Sequence, residues 1–239
     1  MVIPGLIEVH SHILPGVDDG AKDVETSVKM LRRLQIQGAK TVVLTPHYYS
    51  DSISLADFTA RRDAAFARLQ AAMPSDGPKL LLGAEIYVSH YLMNNADLSA
   101  VCITGTRCAL LEHSFSDDFG TKTTDRITAL TCDYNITPIL AHIERYKALL
   151  DHPACIDRLR DIGCVTQVNI SSFANSSFGV RRKLFKLLDS GRIDLLGSDC
   201  HNLTSRPPDY ADGAAAIVKK CGEDALQSLI QNAHRLLNC

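Results

Sequence analysis

Short apolar runs rich in Val, Ile and Leu alternate along the chain with stretches whose apolar residues recur every three or four positions. The runs predict buried strands, and the stretches between them predict amphipathic helices. In the first such stretch Val28, Leu31 and Leu34 share one face, with Asp23 as a start signal and Gly38 as a stop signal. The seven predicted strands cover residues 6–12, 41–47, 79–85, 108–113, 137–142, 164–170 and 193–201.

Alternating strands and helices predict parallel strands joined by right-handed crossovers. Six of the seven runs lead into His, Asp or Glu at their carboxyl ends. All strands of a parallel barrel end at one face, whereas an open sheet gathers side chains around one switch point. The polar strand ends therefore favour an α/β fold with a closed or nearly closed barrel of seven strands. No repeat or linker divides the chain, so we expect a single domain over residues 1–239.

Composition narrows the classes of function. The chain is 46% hydrophobic and 22% charged, which excludes disordered and fibrous proteins. A net charge of -2 gives no overall positive potential that would attract nucleic acid or an anionic membrane. No apolar run approaches the length of a membrane span, and the first residues lack a signal peptide, so we expect no membrane insertion and a cytoplasmic location. The eight cysteines form no C-x-x-C pair, and we expect them to be reduced and mostly buried.

Two pairs of metal-type residues have strand spacing. His10 and His12 lie two positions apart, as do Asp199 and His201, and such side chains project from the same face of a strand. One pair alone is a weak signal, because ordinary polar strand ends are common. Four further strand ends and one turn add candidates: His47, Glu85, Glu112, His142, and either Asp18 or Asp19. Spacing alone does not choose between the two aspartates.

Imidazole and carboxylate ligands without thiolate suit manganese, iron or zinc. Nine ligands are too many for one ion, so we expect two or three ions that share bridging carboxylates, of which Glu85 is the candidate bridge. Metals paired about 3.5 to 4 Å apart are a standard device for in-line attack on phosphate esters. Arg145 and Arg206 closely follow candidate ligands, and their planar guanidinium groups suit phosphoryl oxygens.

A competing pattern spans Cys200 to Arg206, which matches the C-x5-R spacing of thiol-based tyrosine phosphatases. The stretch lacks the glycines that would let backbone amides surround a phosphate. Cys200 also alternates with Asp199 and His201, so on a strand it would point away from them and toward packing. We therefore interpret the match as chance.

Four aromatic residues follow strand ends, and they would serve equally well as a wall for an aromatic substrate or as plain rim packing. They are Tyr48, Tyr49, Tyr87 and Phe173. The remaining histidines have no convergent partner in the sequence and are predicted to be surface or hydrogen-bonded residues, with His113 near the rim because it follows Glu112. They are His90, His113, His152 and His234.

These motifs resemble the polymerase and histidinol phosphatase (PHP) superfamily, and within it the manganese-dependent protein-tyrosine phosphatases of bacterial capsule and exopolysaccharide loci. The resemblance spans the chain. It rests on HSHILPGVDDG at 10–20, TPH at 45–47, GAEIY at 83–87, LLE at 110–112, AHIERY at 141–146, TQVN at 166–169, SDCHNL at 198–203 and RPP at 206–208. Small departures are Glu8, where the family usually has Asp, and His113, where it has an apolar or aromatic residue.

The resemblance implies a distorted seven-stranded barrel of PHP type with a trinuclear site, most simply of manganese, with iron or zinc as alternatives. It selects Asp19 over Asp18 and implies that Arg145 and Arg206 hold phosphate. The implied metal ligands are His10, His12, Asp19, His47, Glu85, Glu112, His142, Asp199 and His201. The implied substrate is the phosphotyrosine tail of a bacterial tyrosine autokinase that controls polysaccharide export.

Metal-dependent hydrolysis of protein phosphotyrosine is therefore the leading hypothesis from the sequence. One alternative is a small-molecule phosphatase of the same superfamily, such as histidinol phosphatase. Another is a metal-stabilised module without catalytic activity, against which the complete set of candidate ligands argues. The oligomeric state does not follow from the sequence.

Overall fold

Nine short strands and nine α-helices are present in the computed structural model, which describes residues 1–238. The strands are β1 Ile7–Glu8, β2 Thr41–Leu44, β3 His47–Tyr48, β4 Lys79–Leu82, β5 Glu85–Tyr87, β6 Cys108–Glu112, β7 Thr137–Leu140, β8 Val165–Asn169 and β9 Leu195–Gly197. The helices are α1 Val24–Ile36, α2 Leu55–Ala72, α3 Thr121–Cys132, α4 Lys147–Asp151, α5 Ala154–Asp161, α6 Ser172–Asn175, α7 Phe178–Asp189, α8 Ala211–Cys221 and α9 Glu223–Leu237. Short 3-10 turns cover His90–Asn94, Ser99–Val101 and Ile143–Arg145.

All paired strands are parallel, as the alternation of strands and helices predicted. They form one sheet in the order β1-β2-β4 and another in the order β3-β5-β6-β7-β8-β9. The strand count differs from the predicted seven because two of the predicted strands are interrupted. Thr45 and Pro46 separate β2 from β3, and Gly83 and Ala84 separate β4 from β5. Pro46 lacks the N–H that a regular ladder requires. The Gly83 N–H still donates to the Leu44 carbonyl at 2.9 Å and the Glu85 N–H to the Pro46 carbonyl at 3.0 Å, so the two segments stay side by side across both interruptions.

The curled sheet brings the first and last predicted strands side by side beyond the ends of β1 and β9. Ser11 and Cys200 form an isolated parallel bridge. The His12 N–H donates to the Cys200 carbonyl at 2.9 Å, and the Asp199 N–H donates to the His10 carbonyl at 2.8 Å. These bonds hold both pairs of metal-type residues against each other.

The helices cover the sheet in the way that the apolar spacing predicted. In α1, Met30, Leu31 and Leu34 are fully buried, and the side chain of Asp23 accepts a hydrogen bond from the Thr26 N–H at 2.8 Å. After the helix, Gly38 has a φ of +105°, and a Cβ there would lie 2.3 Å from the Ile3 carbonyl oxygen. Strands β2 and β6 are buried on both faces, which is typical of a parallel sheet with helical crossovers.

The structure bears on two further expectations, which concern membrane-spanning helices and the state of the cysteines. Within residues 1–238, no helix combines the length and apolar character needed to cross a membrane. The seven cysteines in this range are all free thiols, and all but Cys132 and Cys221 are buried, as expected. Cys239 lies outside the described residues.

Candidate metal centre

The first group of candidate ligands lies where the chain continues past β1 and β9. The Nε2 atoms of His10 and His12 are 3.2 Å apart, and each lies 3.2 Å from Oε2 of Glu85. Oδ1 of Asp199 lies 3.5 Å and 3.4 Å from the same two nitrogens. All four side chains are almost completely buried. Four donor atoms from three separate segments of the chain therefore converge on one small volume.

A second group shares His12 and adds Asp19, His47 and His201, of which only Asp19 is exposed. Oδ1 of Asp19 lies 3.3 Å from Nε2 of His201 and 3.6 Å from Nε2 of His47. The ring centroids of His12 and His201 are 3.9 Å apart. Asp19 is 67% exposed, because it belongs to a loop rather than to a strand end. This group is the open side of the cluster.

Glu85 joins the remaining candidates to the first group. Its Oε2 lies 3.1 Å from Nδ1 of His47, and its Oε1 lies 2.9 Å from Nε2 of His142. Oε1 of Glu112 lies 3.4 Å from the same His142 nitrogen. Glu85 thus contacts four imidazoles, counting those of His10 and His12. All nine residues that the sequence analysis singled out as ligands lie in one continuous cluster.

Backbone strain accompanies two of these positions. His142 has a φ of +33° and Asp199 a φ of +53°, in the left-handed region that residues other than glycine rarely adopt. Such conformations cost free energy and persist where the surrounding structure holds them, commonly at functional sites.

The donor set fits divalent cations. Nδ1 of His47 and Nε2 of His201 are buried and make no hydrogen bond, although carboxylate oxygens lie 3.1 Å and 3.3 Å away. Burial would lower the pKa of His12, but its hydrogen bonds to Asp18, Asp199 and Glu85 raise that pKa well above its ordinary value. The cluster of carboxylates therefore stabilises positive charge, which a metal ion would supply in place of the proton.

Asp18 and Asp19 have different surroundings. Oδ2 of Asp18 lies 2.7 Å from Nδ1 of His12, the ring nitrogen that faces away from Glu85, and it also accepts the His47 N–H at 3.0 Å. Burial alone would raise the pKa of Asp18, but the hydrogen bond and charge of His12 hold it well below its usual value. Asp18 thus fixes the orientation of His12, while Asp19 faces His47 and His201. Sequence spacing did not distinguish these roles.

Two buried polar residues near the cluster were not predicted to contact it. Oε1 of Gln167 lies 3.2 Å from Nδ1 of His10 and accepts the His142 N–H at 2.8 Å. Oε1 of Glu8 accepts the N–H groups of His10 at 2.9 Å and Ser198 at 3.0 Å, and burial raises the pKa of Glu8. Glu8 thereby ties the first strand to the last. The TQVN motif and the position of Glu8 before H-x-H were the signals available in the sequence.

The two arginines meet the cluster at Asp199. Nη2 of Arg145 and Nη2 of Arg206 each lie 2.6 Å from Oδ2 of Asp199, and Nδ2 of Asn169 donates to the same oxygen at 2.9 Å. Both arginine side chains remain about one third exposed, at 35% and 36%. They border a cavity of about 420 Å³ that Ser171 also lines. Guanidinium N–H groups beside a metal cluster can receive an anion such as phosphate.

Cys200 lies outside this chemistry. Its side chain is fully buried in the hydrophobic core, which confirms the prediction that it points toward packing. Burial raises the pKa of the Cys200 thiol well above its ordinary value, so the thiol stays protonated. The C-x5-R spacing therefore has no thiolate to support it.

The aromatic residues separate into packing and rim positions. Tyr48 and Phe173 are buried in the core, as plain packing. Tyr49 is partly exposed and stacks on His47 with ring centroids 5.3 Å apart. Phe115, which sequence reasoning missed, is exposed beside His142 and Arg145.

The other histidines follow the prediction in part. Nε2 of His234 lies 2.7 Å from the Gly5 carbonyl oxygen, as expected of a hydrogen-bonded residue. His113 is buried rather than on the surface. Its Nδ1 lies 3.6 Å from Oδ2 of Asp117, and its Nε2 makes no hydrogen bond within residues 1–238. Its backbone N–H donates to the hydroxyl of Tyr146 at 2.9 Å, which fixes the segment after β6.

Comparison with known proteins gives concordant matches. A family model for capsular polysaccharide synthesis, CpsB/CapC, matches residues 6–238. Tyrosine-protein phosphatase CpsB of Streptococcus agalactiae serotype V is 30% identical over 242 residues, which cover 97% of this chain and 98% of that protein. Tyrosine-protein phosphatase YwqE of Bacillus subtilis is 28% identical over 236 residues, with coverage of 97% and 91%.

Solved structures agree with these matches. The crystal structures of YwqE from Bacillus subtilis and CpsB from Streptococcus pneumoniae, described as unique metal-dependent tyrosine phosphatases, include a chain that superposes with a TM-score of 0.83. That superposition has 25% identity and covers 98% of this chain and 94% of the other. A phosphotriesterase homology protein from Escherichia coli, with 13% identity and a TM-score of 0.58, covers 97% and 98% and shares the fold alone.

Proposed function

Because the chain belongs to the CpsB/CapC family, we propose that it is a metal-dependent phosphatase that hydrolyses protein phosphotyrosine. One observation carries this proposal: Asp199 joins a buried cluster of metal-type donors to two partly exposed arginines. A site that binds cations on one side and an anion on the other suits a phosphate monoester. The relatives named tyrosine-protein phosphatase support phosphotyrosine as the ester.

We propose two or three divalent ions in this site, with manganese as the first candidate and iron or zinc as alternatives. The mixture of imidazole and carboxylate donors supports these metals without choosing among them. Glu85 is proposed as the bridging carboxylate because it contacts four imidazoles. The proposed ligands are His10, His12, Asp19, His47, Glu85, Glu112, His142, Asp199 and His201.

The ions, when bound, would supply activation of water and neutralisation of phosphoryl charge. The chain's own contribution is to bind and orient the phosphoryl group. Arg145 and Arg206 would direct N–H groups at its equatorial oxygens, where negative charge redistributes during hydrolysis. Both guanidinium groups are already fixed by Asp199, so little side-chain ordering is needed on binding. The phenolate leaving group has a pKa near 10 and needs little assistance from a proton donor.

We also propose that the interrupted strands belong to one distorted seven-stranded barrel of PHP type, a single domain over residues 1–239. The bridge between Ser11 and Cys200 supports this arrangement, because it joins the first of seven predicted strands to the last. The proposed partner is a bacterial tyrosine autokinase, whose phosphotyrosine tail is the substrate in capsule or exopolysaccharide synthesis. The family's description supports the pathway. A cytoplasmic location is proposed to match such a partner.

Turnover by metal-loaded protein tests the proposal. We expect kcat/KM to be far higher for a phosphotyrosine peptide than for histidinol phosphate, and a chelator to abolish turnover. A clear preference for histidinol phosphate would indicate a small-molecule phosphatase. Full metal content without turnover of either substrate would indicate a module without catalytic activity.

A further inference from the structure

Phe115 lies in the loop between β6 and α3, three residues after Glu112. Its side chain is 54% exposed, although it is large and apolar. Its ring centroid lies 5.8 Å from that of His142 and 6.0 Å from that of Tyr146. The central guanidinium carbon of Arg145 lies 5.9 Å from the same centroid. Phe115 therefore stands beside both a proposed metal ligand and a proposed phosphate-binding arginine.

Hydrogen bonds order the chain on both sides of this ring. The Asp117 N–H donates to the Ser114 carbonyl at 2.9 Å, and Oδ1 of Asp117 accepts the Phe119 N–H at 2.7 Å. Phe119 is buried, and its ring packs edge-on against Tyr146 with centroids 5.0 Å apart. These contacts anchor the loop, and the anchored loop directs the ring of Phe115 toward solvent.

We propose that Phe115 is a specificity-determining residue that packs against the phenyl ring of phosphotyrosine. This inference rests on the proposed function, because it requires a phosphoryl group held beside Arg145. An aryl ester at that position carries its ring into the volume next to Phe115. Aromatic pairs attract at centroid separations of about 4.5 to 7 Å, and the short side chain of phosphoserine offers no such partner.

Two other exposed aromatic residues, Tyr49 and Phe178, fit this role less well. Tyr49 stacks one face of its ring on His47 and also contacts Tyr87, so less of it is available to a substrate. Phe178 is even more exposed than Phe115, at 75%, but within residues 1–238 no ring or cation contact links it to the site. Phe178 is therefore a matched control, because it has the same side chain at an exposed position away from these contacts.

The experiment compares wild-type protein with Phe115→Ala, Phe115→Tyr and Phe178→Ala, all loaded with the same metal. Two quantities are measured: kcat/KM for a phosphotyrosine peptide, and the inhibition constant of inorganic phosphate. We expect Phe115→Ala to lower kcat/KM by about three- to ten-fold, the scale of one aromatic pair. Its phosphate inhibition constant and metal content should stay unchanged. Phe115→Tyr should restore kcat/KM, and Phe178→Ala should match wild type.

Three outcomes would overturn the inference. Wild-type kinetics in Phe115→Ala would show that the ring does not touch the substrate. A parallel weakening of phosphate inhibition would show that Phe115 acts only by placing Arg145. If wild-type protein itself fails to turn over the peptide, the proposed function fails and the inference fails with it. If wild-type protein turns over the peptide but Phe115→Ala does so equally well, only the inference fails.

Discussion

The cluster of candidate metal ligands and the pocket bordered by Arg145 and Arg206 meet at a single carboxylate but differ in burial and in the elements that carry them. His10 and His12 are buried just past the end of β1, whereas Arg145 and Arg206 are about one third exposed and lie on turns further along the chain from β7 and β9. Oδ1 of Asp199 faces the imidazoles and its Oδ2 faces the guanidinium groups. We therefore expect mutations to separate the proposed cation binding from the proposed anion binding everywhere except at Asp199.

The largest expected effect comes from the centre of the metal cluster. Glu85→Gln keeps the shape of the side chain but removes the negative charge of a carboxylate that contacts four imidazoles. We expect metal content below the native stoichiometry and phosphotyrosine hydrolysis near background, because even residues behind the ligands affect metal affinity by about 10 to 100-fold. Elemental analysis and kinetics on the same preparation are the measurements. Unchanged metal content would show that Glu85 is not a ligand.

A smaller effect, of a different kind, is expected in the arginine pocket. Arg145→Ala or Arg206→Ala should lower kcat/KM by about 10² or more, the scale of removing one preorganised donor. Metal content should be retained, because guanidinium has no lone pair to offer a metal and Asp199 keeps the other arginine and Asn169. Lysine should substitute poorly, since a point charge does not reproduce a planar fork.

Metal analysis and peptide kinetics on both alanine variants check this second prediction. Full metal content with near-native kcat/KM in both would mean that the metals alone bind the phosphate. Loss of metal in either variant would instead place that arginine within the support of the cluster, and the separation between the two regions would disappear.

The sequence predicted the convergence of the candidate ligands better than it predicted their surroundings, and the reason is geometric. Parallel strands that alternate with helices end at one face, so His47, Glu85 and His142 could be brought together without knowing any loop. The choice between Asp18 and Asp19 depends on the path of a loop, which spacing does not determine. Phe115 also lies in a loop, where no periodicity marks an exposed ring as part of a site.

The strand count shows a similar limit. Thr45 and Pro46 are buried like the residues before them, and the sequence pattern predicted one strand where the structure contains two. The pattern reports burial, and a proline interrupts the hydrogen bonds without exposing the chain.

The smallest expected effect on catalysis belongs to Cys200, although it lies between two proposed ligands. Its side chain is buried in the core, so Cys200→Ala should leave kcat/KM within about two-fold of wild type and lower the free energy of unfolding by about 1 kcal/mol. The arginine variants should behave differently, because in them kcat/KM falls and metal content remains.

Cys132→Ala, at an exposed thiol on α3, is the matched control and should change neither kcat/KM nor the free energy of unfolding. Denaturant unfolding and peptide kinetics on metal-loaded protein measure both. A strong loss of turnover in Cys200→Ala with metals still bound would favour sulfur as the nucleophile, in which case the C-x5-R spacing would be a working motif.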